Sequence, residues 1–179
     1  MTAVAKVNIK SINDCAILFL PKIGHMEYTI EYDKIMTIAE EEVSREGAQA
    51  YSEDGGSLYD AIRMVSRDEE KKKRMMSEVL VLIKEQCNRF IADAELMDEG
   101  EAEPTTISFE LDITSRRSAG KELSIKTLLR SLTVNLFLNR FFVSKNQAEL
   151  ATKYDTLALA DVQTLSKLLY TKLPPVYPA

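Results

Sequence analysis

The sequence predicts a mainly α fold: a helical bundle of long antiparallel helices with a small β element or arm, α+β only in a minor sense. Three observations carry this. Apolar residues recur at helical spacing over two long stretches, Met76 to Ala94 and Ala151 to Leu169. Between them, Leu123 to Val143 is apolar in nearly every helical direction. Finally, Ile107, Phe109, Leu111 and Ile113 alternate with Ser108, Glu110 and Asp112, the period of a strand with one buried face.

In order along the chain, Val4 to Ile9 and then Tyr28, Ile30 and Tyr32 alternate as strands do, with Pro21 and Gly24 marking a turn between them. Asp33 stands where an N-cap belongs, ahead of Ile35, Ile38 and Ala39, and predicts a short acidic helix through about Arg45. Tyr51 to Gly56 reads as a loop. Ser57 with Asp60 resembles a capping box opening a short amphipathic helix over Leu58, Ile62 and Val65. A second box, Ser66 with Glu69, opens a helix from Asp68 to about Glu95, roughly 40 Å long at 1.5 Å per residue, or one helix continuous with the preceding one through a kink.

The acidic segment Asp98 to Pro104 must break that helix. The strand Ile107 to Ile113 needs a partner, either a strand from the first third of the chain or the same strand of a neighbouring subunit. After the polar loop Thr114 to Gly120 comes the apolar helix Leu123 to Val143. A third capping box, Ser144 with Gln147, opens the last helix, whose stripe Ala151, Tyr154, Ala158, Val162, Leu165 and Leu169 runs on towards Pro174 and Pro175. The short junction at Ser144 predicts an antiparallel hairpin, with the Met76 to Ala94 helix against it and the tail PPVYPA extended. The chain thus divides into an N-terminal mixed β/α segment or arm, 1–56, and a helical bundle, 57–179, with a strand and loop excursion at 98–120.

With 179 residues, 45% hydrophobic and 28% charged, the composition is that of a globular chain large enough to fold without disulfide or metal staples. The net charge of −5 disfavours non-specific binding to nucleic acid or anionic membrane, and the apolar run Cys15 to Leu20 is too short for a membrane span, so the chain reads as soluble and unprocessed. His25 is the one histidine, which rules out a histidine metal cluster or a Ser/His/Asp triad; it reads as a flexible-loop residue. Cys15 and Cys87 have no CxxC partner, fit a reducing compartment, and leave only a lone thiol as cysteine chemistry, with Cys87 on the apolar stripe better read as core. Gly120-Lys121 is followed by Glu122 and lacks the earlier glycine of a phosphate-binding loop. The acidic clusters Glu40-Glu41-Glu42 and Asp98-Glu99-Glu101-Glu103 lack the spacing of a calcium loop. No catalytic, cofactor-binding or metal residues are predicted.

The run Lys71-Lys72-Lys73-Arg74 follows Asp68, Glu69 and Glu70 at four-residue spacing and reads as a salt-bridged, solvated face. Arg116, Arg117 and Lys121 are less compensated and suit a loop that touches phosphate or an acidic partner. The near all-round apolarity of Leu123 to Val143, with Phe137 and Phe141, fits the central helix of a monomer's core or, alternatively, a subunit interface.

The order of a helix such as EEKKKRMMSEVLVLIKEQCNRFIADAE, a loop or strand excursion, and an apolar helix such as LSIKTLLRSLTVNLFLNRFF resembles the head-tail connector (adaptor) proteins of tailed bacteriophages, over Asp68 to Phe142. The resemblance has no diagnostic motif, and the N-terminal third and last helix have no counterpart in it. It implies a ring-forming homo-oligomer in the virion, assembled in the bacterial host cytoplasm and docked on the portal or other virion proteins, with DNA passing through and no membrane involved. The candidate interface is then Ile107, Phe109, Leu111 and Ile113 as an inter-subunit arm, Arg116 and Arg117 facing a neighbour or the channel, and Phe137 and Phe141. The alternative is a small cytoplasmic bacterial adaptor or regulatory protein whose acidic surface steers it to a basic partner. An enzyme would require a pocket of convergent titratable groups.

Overall fold

A computed structural model describes residues 23–49, 64, 69–97, 106–114 and 120–170. The expected strand Val4 to Ile9, the helix over Leu58 to Val65 apart from Met64, the capping residues Ser57 and Ser66, the acidic segment Asp98 to Pro104, Cys15, Arg116, Arg117 and the C-terminal tail lie outside the described residues.

The strand β1, Ile23–Glu31, turns Tyr28 and Ile30 inward and Glu27, Thr29 and Glu31 outward. Gly24 and His25, expected in a turn and a flexible loop, instead lie within β1, opposite Ile113 and Asp112. Helix α1, Tyr32–Gln49, follows without a linker and runs beyond Arg45. Asp33 sits inside its first turn rather than at the N-cap, where its charge still suits the helix dipole. Tyr32, Ile35, Met36, Ala39 and Val43 form its buried stripe.

Helix α2, Glu69–Gln86, is shorter than the expected Asp68 to Glu95. The chain turns through Cys87 to Phe90, whose amides bond back to Ile83 and Cys87, and Ile91–Met97 is the strand β2. The apolar residues of this segment fit both periods. A bulge between Ile91 and Asp93 brings Ile91, Ala94 and Leu96 into register opposite Leu111, Phe109 and Ile107, all three of them core residues, with Asp93 and Glu95 on the opposite face. Pairing with β3, Thr106–Thr114, thus overrides the helical reading.

The sheet is antiparallel with order β1-β3-β2. The strand that needed a partner is its centre, bonded on one edge to β1 from the first third of the chain and on the other to β2. The described part of the N-terminal segment therefore shares one sheet and one core with the helices.

Helix α3, Glu122–Ser144, is the central helix, packed against α1, α2, β1 and the final helix α4, Ala148–Tyr170. Gly120 precedes it at φ 73°, a left-handed conformation that glycine adopts freely. Lys121 Nζ donates to the Leu168 carbonyl in the last turn of α4 at 2.8 Å, a favourable place for a cation. Ser144 does not cap α4 as expected; it ends α3, and its hydroxyl donates back to the Phe141 carbonyl. Asn146, at φ 57°, turns the chain, a conformation asparagine tolerates better than most residues. The expected antiparallel hairpin results, tied by Ser131 and Asn135 to Asp161 (2.7 and 2.8 Å) and by Asn139 to the Ala151 carbonyl (2.9 Å). The molecule is mainly helical, with a minor antiparallel sheet. No helix among the described residues is long and apolar enough to cross a membrane.

Candidate functional site

The outer face of the sheet is set by strand alternation. Once Ile107, Phe109 and Leu111 point to the core, Ser108 and Glu110 point away, and the register puts Glu27 of β1 and Asp93 of β2 on either side of Glu110. Glu27, Asp93, Glu95, Met97, Ser108 and Glu110 line one shallow depression there. Carboxylates abreast on neighbouring strands repel one another. Ser108 relieves Glu27 by donating to it at 2.9 Å, and Lys84 reaches Asp93 at 2.8 Å. The hydrogen bond from Lys84, the Ala94 amide and the Lys84 charge hold the Asp93 carboxyl below its ordinary range.

On the helical layer, two depressions share Thr127 and Arg130 and form one groove. Its floor is the α3 face carrying Leu123, Lys126, Thr127, Arg130, Ser131, Val134 and Asn135, about 18 Å long at 1.5 Å per residue. Lys34, Ile38, Glu42 and Arg45 of α1 form one wall, and Lys153, Tyr154 and Leu157 of α4 form the other. Lys34 pairs with Glu31, Arg45 with Glu42 and Glu46, and Lys153 with Glu46. Lys126 and Arg130 have no carboxylate partner among the described residues. The groove is therefore positive on a chain whose net charge is −5.

Beneath the groove Glu46, 7% exposed, accepts from Lys153 Nζ at 2.6 Å and from the Tyr154 hydroxyl at 3.2 Å, clasping α1 to α4. Burial by itself would raise the Glu46 pKa. The hydrogen bonds from Lys153 and Tyr154 and the charges of Lys153 and Arg45 outweigh it and hold the group below the usual carboxylate range. A carboxyl depressed in the folded state stabilises fully above its unfolded pKa, about 4.3, and loses that contribution as pH falls through the folded value. Urea unfolding from pH 6 to pH 3 is expected to show this loss. Glu46→Gln should show a shallower decline and a cost at pH 7 of about 1–2 kcal/mol, as for a buried charged hydrogen bond.

Comparison with known proteins adds no relative. No family model, no curated protein and no solved structure matches the chain. The groove and the sheet face are thus read from their own chemistry.

Of the residues picked out in sequence, Ile107, Phe109, Leu111 and Ile113 are buried on the inner face of β3. Phe137 and Phe141 are buried in the chain's own core, Phe141 edge-on to Phe142 with Lys145 over its ring. Cys87 is fully buried, and burial pushes its thiol up to about 11, so it is not a thiolate at neutral pH. Lys72 is not solvated as expected: it is 5% exposed and bonds to Glu40 of α1 at 2.8 Å and to Glu69 at 2.7 Å. Among the described residues no group of three His, Cys, Asp or Glu side chains is placed to hold a metal ion.

Proposed function

We propose that this chain is a non-catalytic assembly protein that associates with copies of itself into a ring and docks on a larger complex. Its order of elements resembles a head-tail connector, which would place it in the virion, docked on a portal, with Arg116 and Arg117 available to DNA. The observation that carries the reading is the outer face of the sheet. It is covered by no described element, and its register sets Glu27, Glu110 and Asp93 abreast. Lys84 already pairs with Asp93, and Glu27, Glu95 and Glu110 add further acidic charge to a face that contributes nothing to the core, which suits it to a cationic partner. The same face supports a second reading, a bacterial adaptor steered to a basic target without self-association.

Light scattering separates the two. The ring reading expects a mass that rises with concentration to a multiple of the monomer and falls as salt screens the contact. A monomer at every concentration, alone and mixed with a portal, overturns it.

A further inference from the structure

The chain carries on its helical layer the positive surface that its sheet face calls for. We infer that the groove between α1 and α4 is an inter-subunit contact, occupied by the acidic outer sheet face of a second copy. The inference rests on the self-association reading and deepens it by naming both surfaces.

Charge complementarity is the main ground. The groove presents Lys34, Arg45, Lys126, Arg130 and Lys153, and two of these, Lys126 and Arg130, have no carboxylate partner among the described residues. The sheet face presents Glu27, Glu95 and Glu110, together with Asp93, which Lys84 pairs. Each surface also offers apolar area to the other: Met97 is 43% exposed on the sheet, and Leu123 and Leu157 are 81% and 43% exposed along the groove. Desolvating such side chains adds to a contact that ion pairs orient.

The alternatives fit less well. Two such sheet faces brought together would set carboxylate against carboxylate, so a two-fold contact through this face is disfavoured. The walls of the groove include Glu31 and Glu42, and its floor includes Val134, which suits a protein surface with apolar side chains and not a phosphate backbone. A sheet face on one copy and a groove on the next make a head-to-tail contact, the kind that closes into rings.

Charge reversal tests it. One full-length variant carries Lys126→Glu with Arg130→Glu; the other carries Glu27→Lys with Glu95→Lys. Glu27, Glu95 and Lys126 are exposed and Arg130 is half-buried, and matching circular dichroism and melting curves establish that both variants fold. Each variant alone is expected to stay monomeric at concentrations where the wild type associates, its association weakened about tenfold or more. A one-to-one mixture should recover the wild-type mass, because reversed face meets reversed groove. Two results overturn the inference while leaving self-association standing: either variant assembles like the wild type, or the mixture stays monomeric. A monomeric wild type removes both readings. A monomeric wild type that binds an acidic amphipathic peptide, lost on Lys126→Glu with Arg130→Glu, assigns the groove to a foreign helix instead.

Discussion

Replacing Phe109 by Ala is expected to lower the unfolding free energy by about 3–5 kcal/mol, read as a drop in the urea midpoint at unchanged slope. Phe109 is fully buried at the middle of the central strand, between Tyr28 of β1 and Ala94 of β2. Its ring therefore fills space where the sheet meets the helical layer. Ala94 is too small to close the gap, and Tyr28 is held in the buried layer. The cavity therefore persists, and the cost includes both lost transfer energy and lost packing. Ser108→Ala, one position away on the outer face, removes only a hydroxyl bonded to Glu27 and should change stability by about 1 kcal/mol or less. The contrast between neighbours tests the strand's facing directly. Were β3 instead to present Phe109 to a neighbouring subunit, the variant would impair association and leave the monomer's stability intact.

The sequence made some of this legible, for physical reasons that differ by element. The alternation at Ile107 to Ile113 was unambiguous because three outward positions are polar. The all-round apolarity of Leu123 to Val143 fitted a central core helix or a subunit interface, because either packs a helix on several sides; within this chain it is the central helix. The switch at Cys87 was hidden. Cys87, Phe90, Ile91 and Ala94 satisfy a helical stripe, and only the pairing of Ile91 to Met97 with β3 selects the strand. Lys72 was hidden by its neighbours in a charge run, although the stripe Met75, Met76, Val79, Leu80 and Ile83 extended backwards lands on it. The walls of the groove could not be seen from local pattern, because they come from α1 and α4, and Glu46 meets Lys153 across 107 positions of sequence. The one local signal was the polar stripe Lys126, Thr127, Arg130, Ser131 and Asn135 on an otherwise apolar helix.

The second large effect is expected at Lys72, and it is asymmetric. Its ammonium is buried, while its partners Glu40 and Glu69 are 48% and 37% exposed. Removing both carboxylates, Glu40→Ala with Glu69→Ala, leaves a buried cation unpaired and should cost about 2–3 kcal/mol, below the full cost for a completely buried pair because the carboxylates are partly solvated. Removing the cation, Lys72→Met, returns two carboxylates to water and extends the apolar stripe of α2, so stability should stay within about 1 kcal/mol of wild type or rise. The alkaline limb distinguishes the two states of the lysine. In the wild type burial lowers the Lys72 pKa, but the hydrogen bonds and charges of Glu40 and Glu69 outweigh it and raise the group above its ordinary value. Its contribution is therefore complete below about pH 10.4 and declines as pH rises through the folded pKa. In the carboxylate-free variant desolvation alone remains and depresses the folded pKa, so the unfolded chain binds the extra proton and stability climbs with pH over the same approach to 10.4. Urea midpoints from pH 7 to pH 10 should thus slope upwards for Glu40→Ala with Glu69→Ala, relative to the wild type. Parallel slopes would mean that Lys72 turns out to solvent when its partners are lost, and that the junction of α1 and α2 does not depend on this pair.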